Sequence, residues 1–447
     1  MSHSSGAPGR YFIETWGCQM NSHDSEKMAG VLTGLGYEPA GTADAADVIL
    51  LNTCAIRERA AEKVFSELGR LRALKERRPD VLLGVAGCVA PLEGEALFRR
   101  APWVDLVIGP RSIQRLPALI EAARARGRAI DVAHHPESVL FPWQETIRSG
   151  GPTARITIVE GCNKACTFCI VPTTRGREDS RLIEDVLAES RAAVAAGNPE
   201  IEFLGQTVNA YKDSGGRGLS DLLLAADRIE GLRRMRFTTS HPIHMTPRLI
   251  GSMAECERLA RSLHLPVQSG SDRTLAAMAR GYTRAGYVER IGRLRAALPG
   301  LGLSTDVIVG FPGETEDDFA ESLSLLDEVR FDTVYSFLYS PRPGTDAADM
   351  ADETPFGERA DRLARLQERQ GAIQLESHRS WLGREADVLV SGPAKSGAGL
   401  VTGRTWEGRI VNFPGADTLI GATVRVEIVH AGPYSLGGRP VARAGLS

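Results

Sequence analysis

The sequence predicts a mixed α/β protein with three parts: an N-terminal doubly wound parallel sheet, a central partial (β/α)6 barrel and a small antiparallel β-barrel at the C-terminus. Two patterns lead to this prediction. Short apolar runs alternate with amphipathic helical stretches as far as residue 381, which is typical of parallel sheets with helical crossovers. After that point only short β-like runs broken by glycines remain.

The first alternating segment predicts an N-terminal domain over residues 11–130, with a helix over Glu58–Lys75. Residues 131–152 contain two histidines and several prolines and glycines without periodicity, so they are predicted to be a linker. The predicted strands of the N-terminal domain are Tyr11–Trp16, Asp47–Leu51, Val81–Ala86 and Asp105–Ile108.

The second alternating segment predicts a barrel domain over residues 153–382. Six strand–helix units fit a partial barrel better than a full eightfold one. Its predicted strands are Arg155–Glu160, Glu200–Leu204, Met235–Thr239, Leu263–Val267, Leu303–Val309 and Thr333–Leu338. Its predicted helices are Leu182–Ala196, Leu275–Leu298 with a Gly-Tyr interruption, Asp317–Val329 and Arg359–Trp381.

Residues 383–447 predict the small antiparallel barrel, with β-like runs at Asp387–Val390, Arg409–Phe413 and Thr423–Val429.

Charge and composition exclude several classes of protein. The 53 basic and 56 acidic residues give a net charge of −3, which excludes a generally basic nucleic-acid coat. No run approaches the roughly 18 apolar residues of a membrane-spanning helix, and the first ten residues lack the apolar core of a signal peptide, so we expect a loose tail and a cytoplasmic protein. Seven cysteines in 447 residues are too few for a disulfide scaffold.

Three cysteines fall within eight positions, as Cys162, Cys166 and Cys169 in the spacing C-x3-C-x2-C. A short loop can direct such thiolates at one soft metal centre. Zinc is the simpler interpretation, but a structural zinc site needs four ligands and no fourth cysteine or histidine lies nearby. A [4Fe–4S] cluster on three thiolates leaves one iron with an open position, and we favour it.

Three further cysteines each follow a predicted parallel strand: Cys18, Cys54 and Cys88. Carboxyl ends of parallel strands meet at one sheet edge, so these thiols can meet and hold a second cluster. The alternative is three buried cysteines that pack as small apolar residues. Cys256 lies in a helical stretch and is assigned to packing.

The cysteine loop after the first barrel strand resembles the signature of radical S-adenosylmethionine (SAM) enzymes. The two trios together resemble the radical SAM methylthiotransferase family, most closely its MiaB-type branch. The resemblance covers about residues 11–432, and TGRTWEGRIVNF in the tail is similar to the family's TRAM domain. Small departures stand at Ala165 and Thr173, where tyrosine is common, and at Thr207, where asparagine is common. The matching segments are CQMNSHDSEKM, NTCAIRERAAEK, GCVAPLEGE, EGCNKACTFCIVPTTRGRE, FLGQTVNAY, RFTTSHP, LPVQSGSD, DVIVGFPGETEDDF and YSPRPGT.

The resemblance implies an enzyme that converts an adenine C–H bond to C–S–CH3 with two [4Fe–4S] clusters and SAM. One SAM would methylate sulfur carried on the auxiliary cluster of Cys18, Cys54 and Cys88. A second SAM, bound at the cluster of Cys162, Cys166 and Cys169, would give the radical that activates C2. The implied substrate is the N6-isopentenylated adenosine next to the anticodon of certain tRNAs. Other expected partners are an electron-donor protein and a sulfur source, and the enzyme is expected to be a monomer without membrane contact.

Several polar or small residues at the carboxyl ends of barrel strands are candidates for SAM contact, although turn chemistry would explain them equally simply. By analogy, Gly205 and Gln206 would approach the methionine part of SAM and Gly310 to Gly313 its adenosine. Arg175 and Arg177, next to the cluster loop, are candidate contacts to substrate phosphate or carboxylate, the alternative being surface ion pairs. The full set of SAM candidates is Gly205, Gln206, Asn209, Ser240, Gln268, Gly310 and Gly313.

Two alternative functions stay open on the sequence alone. One is a methylthiotransferase acting on a ribosomal-protein side chain, and the other is a non-catalytic zinc-dependent RNA-binding protein.

Overall fold

The computed structural model describes residues 9–54, 58–135, 141–148, 150–352, 354–395 and 397–441. Most of the predicted N-terminal tail, and residues 136–140 and 149 of the predicted linker, lie outside this range. The chain forms two compact units. The first comprises 1–149, 159–164 and 170–181, and the second comprises 150–158, 165–169 and 182–447. Within the described ranges, no helix is both long enough and apolar enough to cross a bilayer.

The first unit contains a six-stranded sheet in which every neighbouring pair is parallel, in the order β2-β1-β3-β4-β5-β6. β3 and β4 are buried along their whole length, as expected for strands covered on both faces. The strands are β1 (Arg10–Trp16), β2 (Glu38–Pro39), β3 (Val48–Thr53), β4 (Leu82–Gly87), β5 (Leu106–Ile108) and β6 (Ala129–Asp131).

Helices cover both faces of this sheet and confirm the doubly wound prediction. The helices are α1 (Gln19–Gly34), α2 (Glu58–Arg77), α3 (Val89–Glu93), α4 (Ala96–Arg100) and α5 (Leu116–Arg126). Side chains of α1 and α5 pack with one set of alternating strand residues, including Leu50 and Leu106. Side chains of α2, α3 and α4 pack with the other set, including Leu51 and Val85.

Strand register brings three strand ends into one row. Trp16 pairs with Thr53 across β1 and β3, and Thr53 pairs with Gly87 across β3 and β4. The residues that follow these strand ends therefore leave the sheet side by side at its carboxyl edge.

The first unit also holds a short hairpin and one helical turn from the segment after residue 158. Val159–Glu160 (β8) pairs antiparallel with Asp179–Ser180 (β9), and Val171–Arg175 forms α6.

The second unit contains six parallel strands in two three-stranded sheets, β7-β10-β11 and β12-β13-β14. An isolated parallel bridge between Met235 and Leu259 connects the two sheets, so the strands follow one another as predicted for a partial (β/α)6 barrel. The strands are β7 (Thr153–Thr157), β10 (Glu200–Leu204), β11 (Arg234–Phe237), β12 (Ser262–His264), β13 (Gly302–Val309) and β14 (Thr333–Leu338).

The predicted barrel helices lie close to their predicted positions, and two further helices, at Leu219–Ala226 and Pro247–Glu255, had no predicted bounds. The barrel helices are α7 (Ile183–Ala195), α8 (Leu219–Ala226), α9 (Pro247–Glu255), α10 (Asp272–Ala277), α11 (Arg284–Ala297), α12 (Glu316–Val329) and α13 (Phe356–Arg379). The predicted Gly-Tyr interruption separates α10 from α11. Side-chain caps start several of these helices, for example Ser271 for α10 and Thr315 for α12.

The C-terminal segment closes into a small β-barrel, as the glycine-broken pattern predicts, and the barrel has five strands in the order β15-β16-β17-β19-β18. Four of its pairs are antiparallel, but β17 and β19 pair in parallel. Val388, Val401 and Phe413 are among the side chains that fill its core. The strands are β15 (Glu385–Pro393), β16 (Leu400–Arg404), β17 (Ile410–Pro414), β18 (Thr423–Ala431) and β19 (Leu436–Pro440).

Within the second unit, the β16–β17 turn packs against the amino ends of the barrel strands. Arg234 donates to the carbonyl oxygens of Arg404 and Thr405 at 3.0 and 3.1 Å. At Gly302 a Cβ would lie 2.1 Å from the carbonyl oxygen of Glu407, so only glycine allows this approach.

Candidate active site

Two of the auxiliary-trio cysteines are brought together at the carboxyl edge of the N-terminal sheet. Cys18 follows β1 and precedes α1, and Cys54 follows β3, with its N–H donating to Trp16 O at 3.1 Å. Gly17 lies between β1 and Cys18 at φ +135°, and a Cβ there would stand 2.6 Å from Cys54 Cβ. The glycine thus allows the two cysteines to approach each other closely.

Cys88, the third cysteine of the auxiliary trio, follows β4 at the same edge of the sheet. Its thiol is buried, and burial raises its pKa above the ordinary value. For Cys18, the hydrogen bond with Cys54 lowers the pKa to about 6, assisted by the charge of Arg175 and opposed by burial. A thiolate is the form that binds metals, so Cys18 is a ready ligand at neutral pH.

Two buried asparagines hold these strand ends together. Asn52 Nδ2 donates at 2.8 Å to Asn21 O and at 2.8 Å to Ser25 Oγ, and Asn21 Nδ2 donates to Asn52 Oδ1 at 3.2 Å. Asn21 Oδ1 also accepts from the Cys18 thiol at 3.3 Å. Neither asparagine was predicted from the sequence as part of the site, although Asn52 interrupts the apolar run before Cys54.

Arg175 lies inside the first unit in contact with Cys88 of the auxiliary trio, and only 2% of the surface of the residue is exposed. Its Nε donates to Cys88 Sγ at 3.3 Å, its Nη2 donates to Asp24, and its Nη1 lies 3.7 Å from Glu160 Oε1. Burial opposes the charge, but Asp24, Cys88 and Glu160 outweigh it, and the Arg175 pKa lies well above its usual value. This placement does not favour the substrate-contact role expected for Arg175, because its guanidinium is enclosed and already paired.

A network of buried charges surrounds Arg175. Lys27 lies 3.6 Å from Glu160, and Arg111 donates to the carbonyl oxygens of Glu160 and Arg177 at 3.3 and 2.7 Å. Burial acts against ionisation of Glu160, but Lys27, Arg175 and Arg111 overcome it and lower its pKa. The network therefore favours the charged forms of Glu160 and Arg175 although both are buried.

The cysteine chemistry of the first unit suits an iron–sulfur cluster. All seven cysteines lie in the described part of the chain and are thiols rather than disulfides. Among the described residues, no group of three or more His, Cys, Asp or Glu side chains is arranged to hold a metal ion. The trio offers sulfur ligands with a buried arginine on one of them, and thiolate sulfur is the donor that iron–sulfur clusters take.

The C-x3-C-x2-C loop is divided between the two units. Cys162 belongs to the first unit, where its N–H donates to Gly176 O at 3.0 Å. Gly161, at φ +80°, lies so close to Arg177 O that a Cβ would stand 2.1 Å from it. Arg177 itself is exposed and remains a candidate for substrate contact.

Cys166 and Cys169 belong to the second unit. The Cys169 N–H donates to Cys166 O at 3.0 Å, which closes a tight turn. Thr167 anchors this turn: its N–H donates to Met278 O at 3.2 Å and its hydroxyl to Ala277 O at 2.9 Å. The turn is therefore fixed to the end of α10.

Arg280, which the sequence analysis did not identify, follows α10 and contacts Cys166. Its Nη1 donates to Cys166 Sγ at 3.4 Å, its Nη2 to Pro266 O at 2.9 Å, and its Nε to Tyr282 OH at 3.0 Å. Arg280 is 6% exposed, and the Tyr282 hydroxyl is in turn anchored on Val267 O at 2.7 Å. A buried cation is thus fixed beside one thiol of the loop.

The predicted SAM candidates lie at the carboxyl ends of the barrel strands, as expected. Asn209 exchanges two hydrogen bonds with the backbone of His241, at 2.9 and 2.8 Å, and so serves as a brace between two strand ends. Gln268 has φ +74°, an unusual backbone conformation for a residue other than glycine. The buried Ser240 hydroxyl has no hydrogen-bond partner among the described residues, which suits a ligand contact. Gly205 is buried and Gln206 half-buried directly after β10.

The Gly310–Glu314 turn after β13 is held by a buried carboxylate. Gly310 has φ +71° and donates its N–H to Glu314 Oε1 at 2.9 Å, and Arg362 pairs with the same carboxylate at 3.3 Å. Gly313 has φ +76°, and a Cβ there would meet nothing within 4 Å. The carbonyl of Gly313 accepts from Arg273 at 2.6 Å.

The C-terminal barrel pairs several of its arginines with acids. Arg425 binds Glu385 and Asp387, and Arg439 binds Glu427. Tyr434, between β18 and β19, is 81% exposed. An aromatic ring at the surface of a small β-barrel can stack on a nucleic-acid base.

Comparison with known proteins gives family models along most of the chain. The model for "Uncharacterized protein family UPF0004" matches residues 10–109, the Radical SAM superfamily model matches 156–326, and the TRAM domain model matches 379–441. The tRNA-2-methylthio-N(6)-dimethylallyladenosine synthase of Burkholderia cenocepacia is 48% identical over 447 residues, 97% of each chain. That of Burkholderia vietnamiensis is 48% identical over 444 residues, 96% of each chain.

Solved structures with low sequence identity share the fold. The radical S-adenosylmethionine methyltransferase TsrM from Kitasatospora setae matches with a TM-score of 0.56 and 14% identity, over 76% of this chain and 77% of that one. The cobalamin-dependent S-adenosylmethionine radical enzyme OxsB matches with a TM-score of 0.53 and 14% identity, over 82% of this chain and 56% of that one. With 48% identity to its relatives over nearly the whole of both chains, this chain belongs to the radical SAM methylthiotransferase family, in the MiaB-type branch of tRNA-2-methylthio-N(6)-dimethylallyladenosine synthases.

Proposed function

We propose that this chain adds a methylthio group to C2 of N6-isopentenyladenosine next to the anticodon of tRNA, giving 2-methylthio-N6-isopentenyladenosine. The single observation that carries the proposal is the strand register that aligns Trp16, Thr53 and Gly87, because it sets three cysteines at one sheet edge in addition to the trio of the loop. The names of the relatives supply the substrate class. They favour tRNA over a ribosomal-protein side chain and an enzyme over a zinc-dependent RNA-binding protein.

The proposed domains are 11–130 for the auxiliary cluster, 153–382 for the radical SAM barrel and 383–447 for RNA binding, with 131–152 as a linker. Cys18, Cys54 and Cys88 would hold one [4Fe–4S] cluster, and Cys162, Cys166 and Cys169 the other. When bound, the clusters and SAM supply the one-electron chemistry that an aromatic C–H bond requires, since such a bond has no useful acidity.

The residues at the strand ends would orient SAM. Gly205 and Gln206 are proposed for its methionine part, and Gly310 to Gly313 for its adenosine. The unpartnered Ser240 hydroxyl supports a polar contact at the same end of the barrel. Asn209 and Gln268 complete the proposed set of SAM-binding residues. Asn209 would contribute by bonding to the backbone of His241.

The tRNA would present its modified adenosine splayed out of the anticodon loop, as enzymes that act on a base commonly require. Exposed Arg177 is the remaining arginine candidate for contact with the RNA backbone, and exposed Tyr434 of the C-terminal barrel is a candidate stacking platform. A tRNA substrate is consistent with a cytoplasmic location. We further propose that the enzyme acts as a monomer and draws on an electron-donor protein and a sulfur source.

Nucleoside mass spectrometry tests the proposal. A deletion strain should lose 2-methylthio-N6-isopentenyladenosine and accumulate N6-isopentenyladenosine, and a plasmid copy should restore the modified nucleoside. Complementation with the Cys162→Ala variant is the matched control and should fail. Unchanged methylthio nucleosides in the deletion strain would overturn the tRNA assignment, and a mass loss on a ribosomal protein instead would identify the other branch.

A further inference from the structure

Each cysteine trio has one buried arginine that donates a hydrogen bond to one of its sulfurs. Arg175 Nε lies 3.3 Å from Cys88 Sγ in the first unit, and Arg280 Nη1 lies 3.4 Å from Cys166 Sγ in the second. Both arginines are buried, with 2% and 6% of the surface of each residue exposed. Neither contact depends on the other, because each lies within one unit.

The surroundings of the two arginines differ in charge. Arg175 is neutralised by Asp24 and faces Glu160, two buried carboxylates. Arg280 donates instead to a carbonyl oxygen, a phenol and the sulfur of Cys166. No carboxylate is among these three partners, so none of them neutralises the positive charge of Arg280 as Asp24 neutralises that of Arg175.

A hydrogen bond to a ligating sulfur draws electron density from an iron–sulfur cluster. It stabilises the reduced, more negative state and raises the reduction potential, most strongly in a buried site of low dielectric constant. An arginine adds a full positive charge to this effect, and the charge counts most where no carboxylate neutralises it.

We propose that Arg175 and Arg280 are positioning residues that set the reduction potentials of the two clusters separately, Arg175 through Cys88 and Arg280 through Cys166. The inference rests on the proposed function, which requires two clusters. It predicts a larger effect for Arg280 than for Arg175, because the charge of Arg175 is balanced by Asp24.

An EPR-monitored redox titration of anaerobically prepared protein tests this proposal. Each cluster is measured alone, in a background where the cysteines of the other trio are alanine. Arg280→Gln should make the midpoint potential of the loop cluster more negative by at least about 59 mV, which is a tenfold change in a one-electron reduction equilibrium. Arg175→Gln should make the midpoint potential of the auxiliary cluster more negative by a smaller amount. Neither variant should change the potential of the other cluster.

Three further variants separate this role from a merely structural one. Arg175→Gln combined with Asp24→Asn removes the carboxylate that Arg175→Gln alone would leave buried and unpaired, so it guards against failure to fold. Arg280→Lys keeps the charge and should restore part of the shift. Arg111→Gln removes another buried arginine of the first unit, one that donates to carbonyl oxygens rather than to a thiol, and should shift the potential of the auxiliary cluster less than Arg175→Gln does.

The outcomes distinguish the two proposals. Wild-type protein without iron and sulfide would overturn the proposed function itself. Two clusters whose potentials do not respond to Arg175→Gln, to the double variant or to Arg280→Gln would overturn only the inference about the arginines, as would an equal shift caused by Arg111→Gln.

Discussion

At the scale of one residue, burial changes the pKa of Glu314 in the turn proposed to contact SAM. Its carboxylate accepts the Gly310 N–H and pairs with Arg362, and both contacts favour the charged form. Burial outweighs them and raises the Glu314 pKa from 4.5 to about 7. At pH 6 the folded chain therefore holds this carboxyl mostly protonated, whereas the unfolded chain ionises it.

The raised pKa predicts a pH dependence of stability. Between pH 4.5 and about 7 the folded state binds more protons at Glu314 than the unfolded state, so the contribution of Glu314 to the free energy of unfolding falls as pH rises through this window. Glu314→Gln should remove that fall, and its unfolding midpoint, measured from pH 5 to 8, should decline less than that of the wild type. Glu321→Gln, on the exposed side of α12, is the control and should follow the wild type. Parallel curves for wild type and Glu314→Gln would contradict the prediction.

The residue scale also shows what the sequence could and could not predict. The six cysteines proposed as cluster ligands could be singled out because cysteine is rare and because their spacing and strand-end positions are specific. Asn52 and Arg280 were missed because they are separated in the sequence from the residues they contact, which are Asn21 and Cys166. Arg175 was identified as functional from its proximity to the loop, but only the fold reveals that it points into the first unit.

At the scale of an element, the turn after β4 depends on Gly87. It has φ +88°, and a Cβ there would lie 2.3 Å from Asn52 Oδ1 and 2.5 Å from Thr53 O. These atoms belong to the end of β3, next to Cys54. The turn that presents Cys88 therefore tolerates no side chain without moving the asparagine brace.

Gly87→Ala is predicted to destabilise the first unit by about 1–3 kcal/mol and to lower the iron content of the auxiliary site. The control is Gly69→Ala in α2, where a Cβ would meet nothing within 4 Å, and it should stabilise by about 0.5–1 kcal/mol. Chemical denaturation and iron analysis in a background lacking the loop cysteines would measure both effects. A Gly87→Ala variant with wild-type stability and iron content would show that the turn can adapt.

Long elements with a clear hydrophobic period were predicted from the sequence, whereas the shortest elements were not. α13 was predicted as Arg359–Trp381 and is Phe356–Arg379, because a long amphipathic period is a strong signal. The edge strands β2 and β6 have two and three residues, too few to show any period. β19 has the sequence LGGRP, whose glycines weaken the strand pattern. Its parallel pairing with β17 results from closure of the barrel and cannot be predicted from the local sequence.

At the scale of the whole molecule, the two cysteine trios are proposed to have different tasks. Replacing Cys162, Cys166 or Cys169 by alanine is predicted to abolish SAM cleavage. Replacing Cys18, Cys54 or Cys88 should leave cleavage in place and stop sulfur insertion. Assays of SAM cleavage and of methylthio-nucleoside formation on the same preparations would separate the two tasks. Complete loss of SAM cleavage in a folded Cys88→Ala variant would contradict this division. The control is Cys256→Ala, at the packed end of α9, which should retain both activities.

The measurement that tests the central claim most directly is metal and sulfide analysis of protein purified without oxygen, followed by EPR after reduction. Two [4Fe–4S] clusters predict about eight irons and eight sulfides per chain and a paramagnetic iron signal. Each alanine trio variant should retain about half of this iron. One or two zinc ions per chain without sulfide, and no iron signal after reduction, would contradict the account.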